Sequence, residues 1–370
     1  MTTIINGSSP SITFSDGSAQ TSATRPFLNR IINGAMVIDQ RNAGASVTPA
    51  NNDYTLDRYQ IKTTQASKFT LQQNAGSVTP PAGFTNYLGV TSSSAYSVVS
   101  GDHFGIIQSI EGYNVADLNF GSANAKTVTL SFWVRSSLTG TFGGTIYNSA
   151  ANRSYPYSYT ISAANTWEQK SVTITGDTTG TWLTTNGVGL VVWFGLGAGS
   201  TYSGTANTWA NTWYAQPTGT VSVVGTNGAT FYITGVQLEV GSTATSFDYR
   251  PYGTELALAQ RYYFKTKPAA FSVISTGGYN SSTTVFQGFL QYPVTMRTAP
   301  TALEQSGTAA HYDVVNQSGA TACSAVPTFQ DATDIIARTG FTVSSGLTSG
   351  YAGTARTGNA NGFLAWSAEL

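Results

Sequence analysis

Two histidines, one cysteine and 17 carboxylates are the residues of this 370-residue sequence most suited to chemistry. His103 lies in Ser100-Gly-Asp-His-Phe104 and His311 in Ala310-His-Tyr-Asp313, so each has a carboxylate beside it, as a general base would. A catalytic triad also needs a positioned nucleophile, and a zinc site needs three or four converging ligands. Neither pattern surrounds either histidine, and ordinary hydrogen-bonded roles are expected for both. Cys323 stands alone, which excludes an intramolecular disulfide and a CxxC metal site. Gly195-Leu-Gly-Ala-Gly199 follows an apolar run, but no helical period follows it to offer an N-terminus to a phosphate, so it reads as a loop. Glycan hydrolysis needs two carboxylates about 5–10 Å apart. Asp53, Asp57, Asp102, Glu111 and Asp117 share the first half of the chain, and spacing alone leaves open whether any two converge. The oxygen donors Asp53, Asp57, Glu239 and Asp248 fit no EF-hand loop, so a structural calcium ion stays open, with no ligands assigned. No catalytic residue and no organic cofactor are expected.

Aromatic residues offer a second kind of chemistry. Trp209, Trp213 and Tyr214 lie in the polar run Asn207-Thr-Trp-Ala-Asn-Thr-Trp-Tyr-Ala-Gln216. Such rings either stack on the C–H faces of sugars or plug a protein core or interface, and both readings are open. Tyr279, His311, Tyr312 and Tyr351 are further surface candidates for glycan contact. Trp133, Trp167, Trp182 and Trp193 lie in strand-like runs and are expected in the core.

Only 9% of the residues are charged, with Lys+Arg and Asp+Glu both at 17. Nucleic acids and anionic membranes are bound by clustered Lys and Arg, so neither is an expected partner. A neutral glycan suits a surface made of Ser, Thr, Asn, Gln and aromatic rings. Met1–Pro10 has no basic start or long apolar run, so no secretory signal is expected. No apolar run approaches the ~18 residues of a membrane span.

The elements that must position these residues are short strands. Thr127-Val-Thr-Leu-Ser-Phe-Trp-Val134 alternates small polar with large apolar residues, the period of a half-buried strand. Comparable runs cover 155–161, 168–174, 189–194 and 229–238, and Asn33-Gly34, Asn186-Gly187 and Asn227-Gly228 are turn signals between them. One helix is predicted over 253–265, with Thr254 as N-cap and Glu255 in its first turn. The fold class expected is all-β, two jelly-roll-like β-sandwich domains joined by a short helical connector. The predicted boundaries are a lead segment 1–25, a sandwich 26–252, a connector 253–267 and a second β-sandwich 268–370. Leu256, Ala259 and Tyr263 share one helix face, which could pack around a threefold axis in a homotrimer.

Several stretches resemble known proteins. Ser11-Ile-Thr-Phe-Ser-Asp-Gly-Ser-Ala-Gln-Thr-Ser-Ala23 resembles the I-T-F-P-D-G-T-x-Q-T signature of tailed-phage fibre and virion proteins, with Ser15 in place of proline. Phe27-Leu-Asn-Arg-Ile-Ile-Asn-Gly-Ala-Met-Val-Ile-Asp-Gln-Arg41 is similar to the opening of a phage fibre domain related to carbohydrate-binding modules. Ser131–Gly140, Asn165-Thr-Trp-Glu168, Phe231–Val240 and Arg250–Tyr263 extend the likeness over roughly residues 11–265. Relatives often carry cysteine where this chain has Ala259. The resemblance implies a jelly-roll-like sandwich in a virion appendage, assembled in the bacterial host and released by lysis. The implied role is a trimeric tail-fibre-type subunit recognising a host surface glycan, with attachment to the particle through residues 1–25. The alternative is a trimeric capsid-decorating head fibre or cement protein. Other phage structural proteins, tail, baseplate or capsid, are the implied partners besides the chain itself.

Overall fold

The computed structural model describes residues 27–266 and 269–370, and of the first 26 the backbone of Ile4–Asn6, Ser11–Thr13 and Ala19–Gln20. Those three short strands pair antiparallel in the order of the chain. The remainder of the predicted attachment segment 1–25 lies outside the described residues.

The chain is all-β, as its periodicity predicts. Two antiparallel sheets form the large sandwich. One has six strands, in the order Ser154–Ile161, Gly140–Tyr147, Val188–Ala198, His103–Glu111, Tyr59–Thr63, Tyr54–Leu56. The other has five, in the order Glu168–Ile174, Val128–Ser136, Thr230–Val240, Leu88–Ser92, Phe69–Gln73. Alternation decides which side chains meet between the sheets. Phe104, Ile106 and Ile110 of one sheet point inward, as do Leu130, Phe132 and Val134 of the other, and all six are buried. The Gly195–Gly199 run belongs largely to the long strand Val188–Ala198 and ends in the 3-10 turn Ser200–Tyr202.

The helix spans Tyr252–Gln260, shorter than predicted. Its cap is Pro251, without a side-chain hydrogen bond, so Thr254 is not the N-cap. Glu255 does sit in the first turn. The chain leaves the helix at Arg261 and enters a strand, Tyr263–Lys265, because these residues pair with Leu364–Ser367 from the far end of the sequence. Local propensity favoured continuing the helix, and a partner about a hundred residues away overrode it.

The second β unit therefore takes its first strand from Tyr263–Lys265 rather than beginning at 268. A three-stranded sheet (Tyr263–Lys265, Leu364–Ser367, Glu304–Gln305) accompanies a seven-stranded sheet built from residues 277–357. Its core includes Phe286, Tyr312, Val314, Phe341, Ala355, Leu364 and Trp366.

The helix face predicted for a trimer axis is occupied within the chain. Ala259 and Tyr263 are 0% and 2% exposed. Leu256 and Ala259 pack with Ile32, Ile38 and Tyr262, while the Tyr263 hydroxyl donates to Glu304. The helix is thus a splint between the first sandwich and the second, and the face carrying Leu256 and Ala259 serves that task.

Candidate ligand-binding cleft

The two longest stretches of resemblance, 27–41 and 250–263, converge beside Thr230–Val240, the central strand of the five-stranded sheet. The strand Thr230–Val240 carries a bulge between Thr234 and Gln237. Gly34 lies against this bulge. Its carbonyl accepts from the Val236 N–H at 2.9 Å, and a Cβ at position 34 would lie 2.2 Å from the Val236 carbonyl oxygen. Only glycine permits that approach. Asn33, at φ 60°, turns the chain into it. On the other side, the Gln237 side-chain carbonyl accepts from the Asp248 backbone N–H at 2.8 Å, holding the segment that follows the strand.

These contacts shape a cleft of about 170 Å³ lined by Asn29, Phe84, Phe247, Asp248, Tyr249, Arg250, Tyr252 and Glu255, among others. Three rings form one wall: Phe84 lies 5.1 Å from Phe247 and 5.5 Å from Tyr249, and Phe247 lies 4.8 Å from Tyr249, centroid to centroid. The two pairs that include Phe247 meet edge to face and Phe84 and Tyr249 are tilted, contacts that fix ring orientation. Tyr249 and Tyr252 are 56% and 61% exposed. Partial desolvation raises the Tyr249 phenol above its ordinary range.

The polar side of the cleft is organised by Arg250. Its Nη1 donates to the Ile31 carbonyl at 3.0 Å and approaches both Glu255 oxygens at 3.3 and 3.4 Å. Its Nη2 donates to the Asn29 carbonyl, and Glu255 also accepts from the Asn33 N–H. Asp248 is less committed. Its Oδ2 accepts from the Asn29 N–H at 3.2 Å and lies 4.0 Å from the Arg250 Nε. Among the described residues no donor reaches its Oδ1.

The sequence-predicted aromatic candidates lie elsewhere. Trp209 packs on Phe120, Tyr155 and Trp182 and donates its Nε1 to the Thr175 carbonyl at 2.8 Å, so it closes the end of the sandwich. Trp213 packs on His103, Tyr147, Trp193 and Tyr202, and Tyr214 lies over Gly204. All three are half-buried, and each packs against its neighbours in the first sandwich. Tyr312 is fully buried, its hydroxyl donating to the Phe363 carbonyl at 2.7 Å, so it is no surface contact. Tyr279 and Tyr351 are exposed on the second unit, and His311 is half-buried with Nδ1 2.9 Å from the Ser306 hydroxyl. None of these three adjoins the cleft.

The core assignment of four tryptophans also needs correction. Trp193 is buried, but on the outer face of the six-stranded sheet, under the segment that carries Trp213. Trp133 points out of the five-stranded sheet because it alternates with Phe132 and Val134, and it is half-buried. Trp167 and Trp182 are only partly buried against their neighbours. His103 is enclosed by Trp193, Tyr202 and Trp213 at 5.8, 4.9 and 5.1 Å, and its Nδ1 has no partner among the described residues. Burial lowers its pKa below the ordinary histidine value.

The carboxylates named from sequence are each engaged by neighbouring groups. Asp57 is held by Gln40, Asp102 by Tyr96 and Thr64, Glu111 by Arg261 and Tyr262, and Asp117 by Arg30. Asp53 accepts from the Ala50 N–H and Glu239 is tied to Thr245. Among the described residues no three His, Cys, Asp or Glu side chains gather around a metal position. Sequence reasoning missed Phe84, Phe247, Tyr249 and Tyr252, whose aromatic character was the signal and whose nearness only folding creates.

No family model matches the chain, and no curated protein matches it. Solved structures similar to it include the enzymatically active domain of tailspike protein 4 of bacteriophage CBA120, at 11% identity and TM-score 0.31, covering 59% of this chain and 22% of that one. A CBM4 module is similar at 15% identity and TM-score 0.29, over 56% of this chain and 98% of its own. A family 11 carbohydrate-binding module from Clostridium thermocellum, solved with a mixed-linked β-1,3-1,4 tetrasaccharide, is similar at 10% identity and TM-score 0.28, over 53% of this chain and 96% of its own.

Proposed function

We propose that the chain is a glycan-recognising structural subunit of a bacteriophage virion, a trimeric tail-fibre-type protein that binds the host surface. The cleft between the Phe84–Phe247–Tyr249 wall and Asp248 carries the glycan part of this reading. It combines exposed aromatic faces with hydrogen-bonding groups held in fixed positions, which is the composition that sugar rings require. The phage part rests on the fibre-like motifs at 11–23, 27–41 and 250–263.

The cleft is read as binding rather than catalytic. Glu255 is committed to Arg250 and the Asn33 amide, which leaves Asp248 Oδ1 as the carboxylate oxygen of the cleft without a donor among the described residues. Glycoside hydrolysis draws on two carboxylates with separate roles. Trimerisation would place three such clefts on one body and raise avidity through effective concentration, without new contacts. With the helix face occupied inside the chain, exposed residues such as Phe271, Val273, Tyr279, Ile335 and Tyr351 of the second unit offer apolar surface for contact between copies.

The test is retention on host surface polysaccharide by the full chain and by its Tyr249→Ala and Tyr252→Ala variants. Both rings are exposed, so folding should survive. Each variant should lose about tenfold in affinity, ~1.4 kcal/mol. Unchanged retention by both variants would overturn the assignment of this cleft, and a monomeric mass by light scattering would overturn the trimer.

A further inference from the structure

The charges of the cleft are unevenly satisfied. Arg250 and Glu255 neutralise each other at 3.3 Å, and both side chains are nearly buried. Asp248 is left as an additional negative charge, its side chain 20% exposed and its nearest cationic atom 4.0 Å away. The Arg250 fork is turned away from it, toward the Ile31 and Asn29 carbonyls and Glu255. With two carboxylates and one guanidinium among its lining residues, the cleft carries one net negative charge.

The aromatic wall adds to the same preference. The faces of Phe and Tyr rings carry negative electrostatic potential and attract cations within about 6 Å. Phe84, Phe247 and Tyr249 line the cleft together with Asp248, so rings and carboxylate present negative potential to the same space. The hydroxyls of a neutral sugar can donate to the carboxylate but leave its charge uncompensated, whereas an ammonium both donates to it and neutralises it. The volume, about 170 Å³, suits the end of a chain or a single ring rather than a long run of sugars.

The geometry points to a free amino sugar as the ligand of this cleft, with its ammonium on Asp248 and the apolar face of its ring on the Phe84–Phe247–Tyr249 wall. This inference rests on the cleft being a glycan site and specifies which glycan it selects. The ammonium donates to Asp248 Oδ1, and ring hydroxyls accompany it along the polar side.

Titration calorimetry on the full chain at pH 6, where a sugar amine is protonated, tests this with three β-1,4-linked tetrasaccharides: of glucosamine, of N-acetylglucosamine and of glucose. They share a backbone and differ at one substituent. The glucosamine chain should bind at least about tenfold tighter than the other two, and its affinity should fall with added salt, as an exposed ion pair requires. Asp248→Asn, which keeps an acceptor for the Asn29 N–H, should bring the glucosamine chain down to the level of the neutral ones with little change in melting temperature. Equal affinities for all three would overturn the charge preference while leaving the glycan reading intact. Binding of none, together with undiminished polysaccharide retention by Tyr249→Ala, would overturn both.

Discussion

Glu369 neutralises the guanidinium of Arg58 from 311 positions along the chain. Arg58 is 1% exposed, lies 3.6 Å over the Tyr262 ring, and also donates to the Ser109 carbonyl. Glu369 accepts a second ion pair from Arg41 at 2.9 Å. Arg297 fixes the same segment through the Ala368 and Glu369 carbonyls at 2.7 and 2.6 Å. The last strand of the second unit thus leads into a buried charge network of the first, and the two units stabilise each other.

Glu369→Gln should cost about 3–5 kcal/mol, because it leaves Arg58 buried and unpaired. Arg58→Met combined with Glu369→Leu should cost less than Glu369→Gln alone, since the fully buried Arg58 charge is removed and only the more exposed Arg41 loses its partner. Urea unfolding of the three proteins measures this. A loss below about 1 kcal/mol for Glu369→Gln would show that the network is not needed. Removing residues 268–370 should likewise destabilise the first sandwich rather than leave it unchanged.

Stability should fall between about pH 4 and 6 through Asp57. Burial raises this carboxyl to about 6 from an ordinary value near 3.8, against the opposing field of Arg41 and two hydrogen bonds from Gln40. A folded-state pKa above the unfolded one means the protonated group favours folding. Its contribution, about 2–3 kcal/mol, is complete below the unfolded value and is lost as pH rises through 6. His103, lowered by burial, acts in the opposite sense. The difference between the wild type and Asp57→Asn isolates the effect, and a flat difference across this range would refute it.

Trp213→Ala should lower stability by about 2–3 kcal/mol, less than for a fully buried tryptophan because this ring is only partly covered. It packs against His103, Trp193 and Tyr202. Polysaccharide retention by the folded variant should match the wild type. Lost retention in a variant with intact secondary structure by circular dichroism would return Trp213 to the ligand site.

Gly34→Ala should cost more than about 2 kcal/mol, the range of a backbone clash that cannot relax cheaply. The added Cβ would meet a carbonyl oxygen, Val236 O at 2.2 Å, rather than the end of a flexible side chain. Thermal melting checks the loss. A variant as stable as the wild type would mean that the bulge shifts freely.

Cys323 should resist thiol reagents in the folded protein and react when the second unit opens. It is 6% exposed, and desolvation, aided by the Asp313 carboxylate, pushes its thiol up to about 12. Little thiolate then exists near neutral pH. Rapid labelling by a disulfide reagent without denaturant would contradict its burial.

Periodicity alone determined the β character of this chain, because alternation such as Leu130-Ser-Phe-Trp-Val134 dictates which side chains meet a core. The turn at Asn33 was legible for the same local reason, a residue that tolerates positive φ beside a glycine. The low charge was legible too. Long-range pairing was not. The strand at Tyr263–Lys265 reads as helix until Leu364–Ser367 supplies its hydrogen bonds. Nor does sequence say which aromatic rings are spent on packing. Trp209 and Trp213 lie in a polar run that suggests a binding loop, yet folding lays them against sandwich residues. Phe84 and Tyr249 are 165 positions apart in an unremarkable context, and only the bulged strand and the Gly34 approach bring them to one wall. Local patterns determine elements because the forces behind them act within a few residues. A site is a set of distances between elements, and tertiary packing sets those.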